Sequence, residues 1–385
     1  MGERHVVNDF DLFGGLHCET SAVQKVLAYH DLPVSEEMLF GLAGGIGFIY
    51  WHMKPMPAPL VGGRGGGRHF IENIGIRTGA RIQAQRTTSP RRGHAMLMDR
   101  LAQGLPTVIY ADMAYLPYMG VPEEAHFGQH VIVVYGVDED ADTVYISDRA
   151  RRGVTVTVEK LKRARASEFP PWPPQHALFD IQLPVHLEIT PKIVREALGE
   201  CVKGMLNPPI SNFGLAGIQK WAELVPKWPR LFPGRNLWTA LMNGFIYIET
   251  GGTGGSAFRP MFARFLAEAR DILGKPGLDD AIAKYEESAR IWSRIAESML
   301  PDAYPALHRA REILWEKDRV FLAQEPAAAD RLVGLNRELD LMQDQILPDL
   351  KQAPSFLPEV QRNILELYEV EKDAVKALQR SVSQS

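Results

Sequence analysis

The residues best placed to do chemistry lie in the segment 14–21, Gly14-Gly15-Leu16-His17-Cys18-Glu19-Thr20-Ser21. The glycine pair runs straight into a helical pattern whose apolar side is Val23, Val26 and Leu27, so Cys18 falls at the start of a helix. There the exposed N–H groups and the positive end of the helix dipole favour a thiolate, and a neighbouring histidine adds to the effect. The same N–H groups can stabilise the oxyanion of a tetrahedral intermediate. A nucleophilic thiol also needs a base and a group to orient it, and these usually come from elsewhere in the chain. His130 opens the β-branched run Val131-Ile132-Val133-Val134-Tyr135, and Asp148 closes Tyr145-Ile146-Ser147. The acidic stretch 138–142 between them reads as a turn, so antiparallel pairing brings His130 and Asp148 together at the open end. Cys18, His130 and Asp148 are thus a candidate catalytic triad. The plain alternative for Cys18 is a packed cysteine at a helix start.

The elements that must position these residues change character near residue 187. Before it, strand patterns at 107–110, 131–135, 143–146 and 154–158 suggest one twisted antiparallel sheet, and the Pro-rich 169–175 (FPPWPPQ) reads as a connector. Beyond it the pattern is helical. Thr190 is an N-cap with Pro191 at the first position, and Ile193, Val194, Ala197, Leu198, Cys201, Val202 and Met205 recur as a buried stripe, which makes Cys201 core. Further helices are predicted at 212–224, 259–273, 278–300, 305–322, 328–347 and 358–382, an antiparallel bundle. The predicted fold is α+β, with an N-terminal domain at 1–186 and a helical C-terminal domain at 187–385. The active site is expected in the cleft between them.

A cysteine opening a helix, followed by a histidine opening one strand and an aspartate closing the next, resembles the papain-like cysteine enzymes. Their bacteriocin-leader peptidase branch is nearest in strand pattern. Residues 17–48 (HCETSAVQKVLAYHDLPVSEEMLFGLAGGIGF) resemble the butirosin-biosynthesis protein H family more specifically. Residues 249–266 (ETGGTGGSAFRPMFARFL) are similar to the uncharacterised domain that follows in that family. The resemblance implies a papain-like N-terminal domain and transfer of an acyl group from a carrier-protein thioester to an amine. Cys18 would carry the acyl group, His130 would move the protons, and Asp148 would fix the imidazole tautomer. A hydrolase using the same triad, and a non-catalytic papain-like scaffold that binds a ligand or partner, are the alternatives.

The resembled peptidases place an oxyanion-hole glutamine about six residues before the cysteine, where this chain has Leu12. The remaining oxyanion candidates are the Asn8 amide and the backbone N–H groups of Gly15 and Cys18. Glu249, Thr253, Ser256 and Arg259 line a Gly-rich entry to a helix and are candidates for binding the acceptor or a phosphopantetheine-bearing donor; a helix-entry turn is the alternative. The run 62–68 (GGRGGGR) lacks dinucleotide-loop spacing and reads as a surface loop. Arg149, Arg151, Arg152, Lys160, Lys162 and Arg163, with Arg165 close by, form a basic cluster that would dock an acidic acyl-carrier protein. The alternative is a solvated face.

Composition narrows the remaining classes. The 385 residues hold 43 Lys plus Arg against 47 Asp plus Glu, so no global basic field draws the chain to nucleic acid. His126 and His130 are four apart but not on a helical pattern, and 138–142 lacks the glycine and terminal glutamate of a calcium loop, so no metal and no bound cofactor are expected. Two cysteines cannot build a disulfide framework, and no apolar run is long enough to span a bilayer. These features point to a soluble, cytoplasmic protein that does not meet a membrane; a small-molecule amine as its partner is what the resemblance implies.

Overall fold

The computed structural model describes residues 2–54, 56–122 and 124–383. Its contacts divide the chain into two compact units. The first is Met1–Glu36, Ile74–Glu188 and Glu316–Glu338, and the second is Glu37–Asn73, Ile189–Trp315 and Leu339–Ser385. The break near 187 is therefore accompanied by two exchanged segments. Residues 37–73 join the helical unit, and a stretch of the late helices joins the sheet unit.

The first unit is α+β, as expected. Its strands are β1 (Arg4–Val6), β4 (Arg81–Gln85), β5 (Thr107–Ala111), β6 (His130–Asp138), β7 (Thr143–Ser147), β8 (Val154–Val156) and β9 (Leu178–Gln182); the second unit holds β2 (Ile46–Trp51) and β3 (Leu60–Arg64). The sheet order is β4-β9-β5-β6-β7-β8, with β1 on β6, and every pair is antiparallel. β5 and β6 are almost continuously apolar and sit mid-sheet, buried from Thr107 to Ala111 and from His130 to Val134. The predicted strand at 154–158 stops at Val156, because the Thr157 hydroxyl accepts from Lys160 N and caps a helix over Val158–Ala166. β4 and β9 carry more exposed polar positions and were not evident from pattern alone.

β6 and β7 form the expected hairpin, but not in one register. Next to the turn Asp138 faces Thr143 and Val137 faces Val144; beyond Tyr135, Val134 faces Ile146 and Val133 faces Ser147. One extra residue on β6 absorbs the shift, which is a β-bulge. Continued to the open end, the second register sets Asp148 opposite Ile132, two residues from His130 and on the same face. The first register would oppose Asp148 to Val133 and turn it to the other face. The bulge thus decides whether the histidine and aspartate can meet.

The second unit is mainly helical. Pro191–Leu206, Gly214–Leu224, Arg259–Leu273, Asp279–Met299 and Ala353–Ser383 follow the predicted pattern, and Arg235–Phe245 with a π-turn at Ile246–Thr250 adds to it. Trp221 stacks on both Phe48 and Trp292, which are tilted to each other, with ring centroids 5.5–5.9 Å apart. Residues 62–68 are no surface loop: they are the end of β3 and a 3-10 turn at Gly67–His69. A Cβ on Gly63 would lie 2.4 Å from the Ala257 carbonyl oxygen, so glycine is needed for that close approach. Among the described residues no helix is long and apolar enough to cross a membrane.

Candidate active site

Cys18 is the first residue of the Cys18–Tyr29 helix and is half-buried, with His17 in the N-cap position. His17 offers no side-chain cap; that role falls to Glu36. Its carboxylate accepts from His17 N at 2.7 Å, Leu16 N at 2.9 Å and the Thr20 hydroxyl at 2.8 Å. An acid at this end satisfies orphan donors and complements the dipole. His17 itself is turned to Thr20 and to Glu19 Oε2, at 3.3 and 3.4 Å, so it braces the helix start.

His130 and Asp148 meet as the bulged register requires. Their side chains are buried, with Nε2 of His130 2.7 Å from Oδ2 of Asp148, and Cys18 lies near enough to His130 to act on its charge. Because Nε2 is held by the carboxylate, Nδ1 is the ring nitrogen left for the thiol. The structure thus pairs His130 with Asp148 and sets Cys18 near the imidazole.

Burial alone would favour a neutral imidazole, but the charge and hydrogen bond of Asp148, with those of Cys18 added, raise the His130 pKa to about 10. Burial likewise pushes Asp148 up, and His130, then Arg149, overcome it and hold the carboxyl at about 2. The imidazolium contribution to stability is complete below its ordinary value of 6.5 and fades as pH rises toward 10. The carboxylate contribution is present above 3.8 and fades as pH falls toward 2.

Three further residues hold Asp148, a role that the sequence reading gave to none of them. The buried Tyr118 hydroxyl donates to Oδ2 at 2.9 Å, and Arg149 N donates to Oδ1 at 2.7 Å. Lys25 donates from Nζ to the Asp148 carbonyl oxygen at 2.6 Å and to the Ser21 hydroxyl at 2.7 Å. Lys25 lies seven residues after Cys18, on the same helix face, and that spacing was the signal that could have found it. Tyr118 sits in a 3-10 turn with no periodicity to reveal it.

Lys25 is 1% exposed, and burial lowers its pKa from 10.5 to about 8. Lys25→Met strips a donor from the Asp148 carbonyl and from Ser21, and is expected to cost about 1–3 kcal/mol in urea unfolding at pH 7. The folded wild type releases this proton between pH 8 and 10.5 while the unfolded chain keeps it. Wild-type stability must then gain on Lys25→Met over that interval, and a constant gap would refute the buried ammonium.

The other sequence candidates divide sharply. Gly15 N donates to Arg149 O at 2.8 Å and is not free for an oxyanion. Asn8 is exposed in the turn after β1, where neighbouring Val7 bonds Tyr135, well along β6 from His130. Only Cys18 N, the first N–H of its helix, has no carbonyl within that helix to receive it. Arg149 leaves the docking surface as well. It is 9% exposed, its guanidinium lies 4.9 Å from the Phe321 ring, and it reaches the Leu16 carbonyl. Arg151, Arg152, Lys160, Lys162 and Arg163 are exposed. Arg165 is buried on the carbonyls of Gly93 and His176.

The Gly-rich candidates belong to the interior of the second unit. Arg259 is fully buried, donating to Glu371 Oε1 at 2.6 Å and to the carbonyls of Gly47, Gly63 and Ala257. The Thr253 hydroxyl donates to Ile248 O and accepts from Gly255 N, while Glu249 accepts from Ser293 and Ser256 N. Ser256 shares a hydrogen bond with Ser293. These bonds shape the loop and spend the groups that a phosphate or carboxylate would need.

Two family models match the chain. That of butirosin biosynthesis protein H, N-terminal, covers residues 17–149, and that of a domain of unknown function, DUF4872, covers residues 159–314. The chain has a butirosin biosynthesis protein H-like two-domain architecture. No curated protein matches it. The butirosin biosynthesis protein H match opens one residue before Cys18 and closes one after Asp148, so Cys18, His130 and Asp148 all fall inside it.

Proposed function

We propose that this protein is a cysteine-dependent acyltransferase of specialised metabolism, moving an acyl or aminoacyl group from a thioester to an amine. The observation that carries the reading is the buried His130–Asp148 pair with the half-buried Cys18, first residue of its helix, near the imidazole. The N-terminal match to butirosin biosynthesis protein H supports a biosynthetic setting. Cys18 Sγ attacks the donor carbonyl, the donor C–S bond breaks, and the departing thiolate takes a proton from His130. The amine then attacks the acyl-Cys18 carbonyl, gives its proton to His130, and the bond to Sγ breaks to restore the imidazolium–thiolate pair. Cys18 N–H is the remaining backbone donor for the oxyanion. A phosphopantetheine-bearing donor on an acidic carrier protein would dock on Arg151, Arg152, Lys160, Lys162 and Arg163.

Incubation with N-acetylcysteamine thioesters, followed by intact-mass analysis, tests the reading. An acyl adduct on Cys18 that discharges when an amine is added is the expected result. An adduct lost at once to water makes the protein a hydrolase, and absence of any adduct on folded protein leaves it a binding scaffold.

A further inference from the structure

The second unit contains a cavity of about 240 Å³ lined by Tyr50, His52, Asn212, Lys220, Leu224, Leu231 and Phe232. Its polar wall is built from paired backbone. Tyr50 N donates to Asn212 O and Asn212 Nδ2 donates to Tyr50 O, both at 2.9 Å, beside a β-bridge between Ile49 and Phe213. Held this way, Asn212 has one acceptor left, and Oδ1 takes Lys220 Nζ at 2.9 Å. An ammonium has three donors, so two remain. Among the described residues no carboxylate pairs with Lys220.

Tyr50 adds a second donor. Its hydroxyl accepts from Trp228 Nε1 at 3.1 Å, which leaves its own proton unassigned to any protein acceptor among the described residues. Burial raises the Tyr50 pKa to about 12, so it remains a neutral donor through the physiological range. His52 is exposed at the rim, with Nε2 on Met56 O and its ring edge-on to Phe232. The rest of the lining is apolar: Phe232 is buried, Leu224 half-buried, and Leu231 is 45% exposed. A cation and a phenol thus share one cavity with aliphatic and aromatic side chains.

We propose that this cavity binds a monocarboxylate with a short apolar tail, its carboxylate on Lys220 and Tyr50 and its tail against Leu224, Leu231 and Phe232. An amine would meet ammonium and hydroxyl donors with no carboxylate to receive it. A phosphate dianion would find one point charge and neither the forked guanidinium nor the backbone N–H cradle that usually holds it.

The test uses hexanoate, 1-hexanol and hexylamine as probes on the full-length protein, with binding followed by ligand-observed NMR. Hexanoate is expected to bind, hexylamine not to bind, and Lys220→Met to weaken hexanoate at least tenfold while leaving any hexanol signal unchanged. Leu231→Gln, a change at an exposed rim, is expected to weaken hexanoate with Lys220 intact. Hexanoate binding no tighter than hexanol, or unchanged in Lys220→Met of unaltered circular dichroism, overturns the proposal. Cys18→Ala protein is expected to bind hexanoate as the wild type does, so the outcome does not depend on the thiol chemistry.

Discussion

Asp148→Asn lowers the rate of Cys18 acylation by about 10⁴-fold and leaves the protein folded, a result expected from how the carboxylate is surrounded. Oδ1 accepts from Arg149 N, and Oδ2 accepts from both His130 Nε2 and the Tyr118 hydroxyl. An asparagine has one acceptor oxygen and must turn it toward Arg149 N, because a main-chain donor cannot rotate away. Its NH₂ then faces Tyr118, whose hydroxyl can turn to accept, and His130, which can accept only by moving its proton to Nδ1. That proton occupies the ring nitrogen left for the thiol, and the imidazole loses its ability to take the thiol proton. Stopped-flow acylation with intact-mass detection measures the effect. A rate within tenfold of wild type would mean that Asp148 does not set the tautomer, and a tyrosine-to-phenylalanine change at 118 would show whether hydroxyl rotation relieves the mismatch.

This argument depends on a detail that the sequence does not display. Cys18, His130 and Asp148 were legible because each sits at the end of a strongly patterned element, where glycines, β-branched runs and an acidic turn mark the boundaries. The bulge at Tyr135 was not legible. Simple hairpin pairing from the 138–142 turn gives the register that splits His130 from Asp148, and nothing in Val133-Val134-Tyr135-Gly136 states which residue is extra. The pair was inferred from its location at the open end, while its facing rests on the bulged register. Lys25 and Tyr118 were missed for a related reason. A lysine among apolar helix positions reads as a solvated residue until the strand carbonyl it bonds is in view, and that carbonyl is 123 residues away.

The Gly-rich segment shows the opposite failure, in which a local motif was legible and its meaning was not. Glycines before a helix suggest an anion cradle, and Thr253, Ser256 and Arg259 are the right types to line one. In the folded chain Ser256, Ala257 and Phe258 all take positive φ, at 49°, 50° and 72°, so the loop coils left-handed into the helix and turns its polar groups inward. Contacts of Arg259 with Glu371 and Trp292, far along the sequence, decide the outcome.

Arg259→Met should consequently destabilise the protein by about 3–5 kcal/mol in denaturant unfolding, where a ligand-binding arginine would cost little stability. The Arg259 and Glu371 side chains are both wholly buried. Glu371 Oε1 accepts from Arg259 Nε and Ser288 Oγ, each at 2.6 Å, and from Trp292 Nε1 at 3.2 Å, while the guanidinium lies 4.8 Å from the Trp292 ring. Removing the arginine leaves a carboxylate in apolar surroundings with two neutral donors and strips a donor from Gly47 O, Gly63 O and Ala257 O, the carbonyls that tie β2 and β3 to the left-handed loop. Glu371→Gln keeps the acceptor and relieves the unpaired negative charge, so Arg259→Met/Glu371→Gln is expected to regain part of what the single change loses. Full recovery is excluded because the three carbonyls still lack their donor. A loss below about 1 kcal/mol in Arg259→Met would release Arg259 from this structural role and return it to the list of groups available to a ligand.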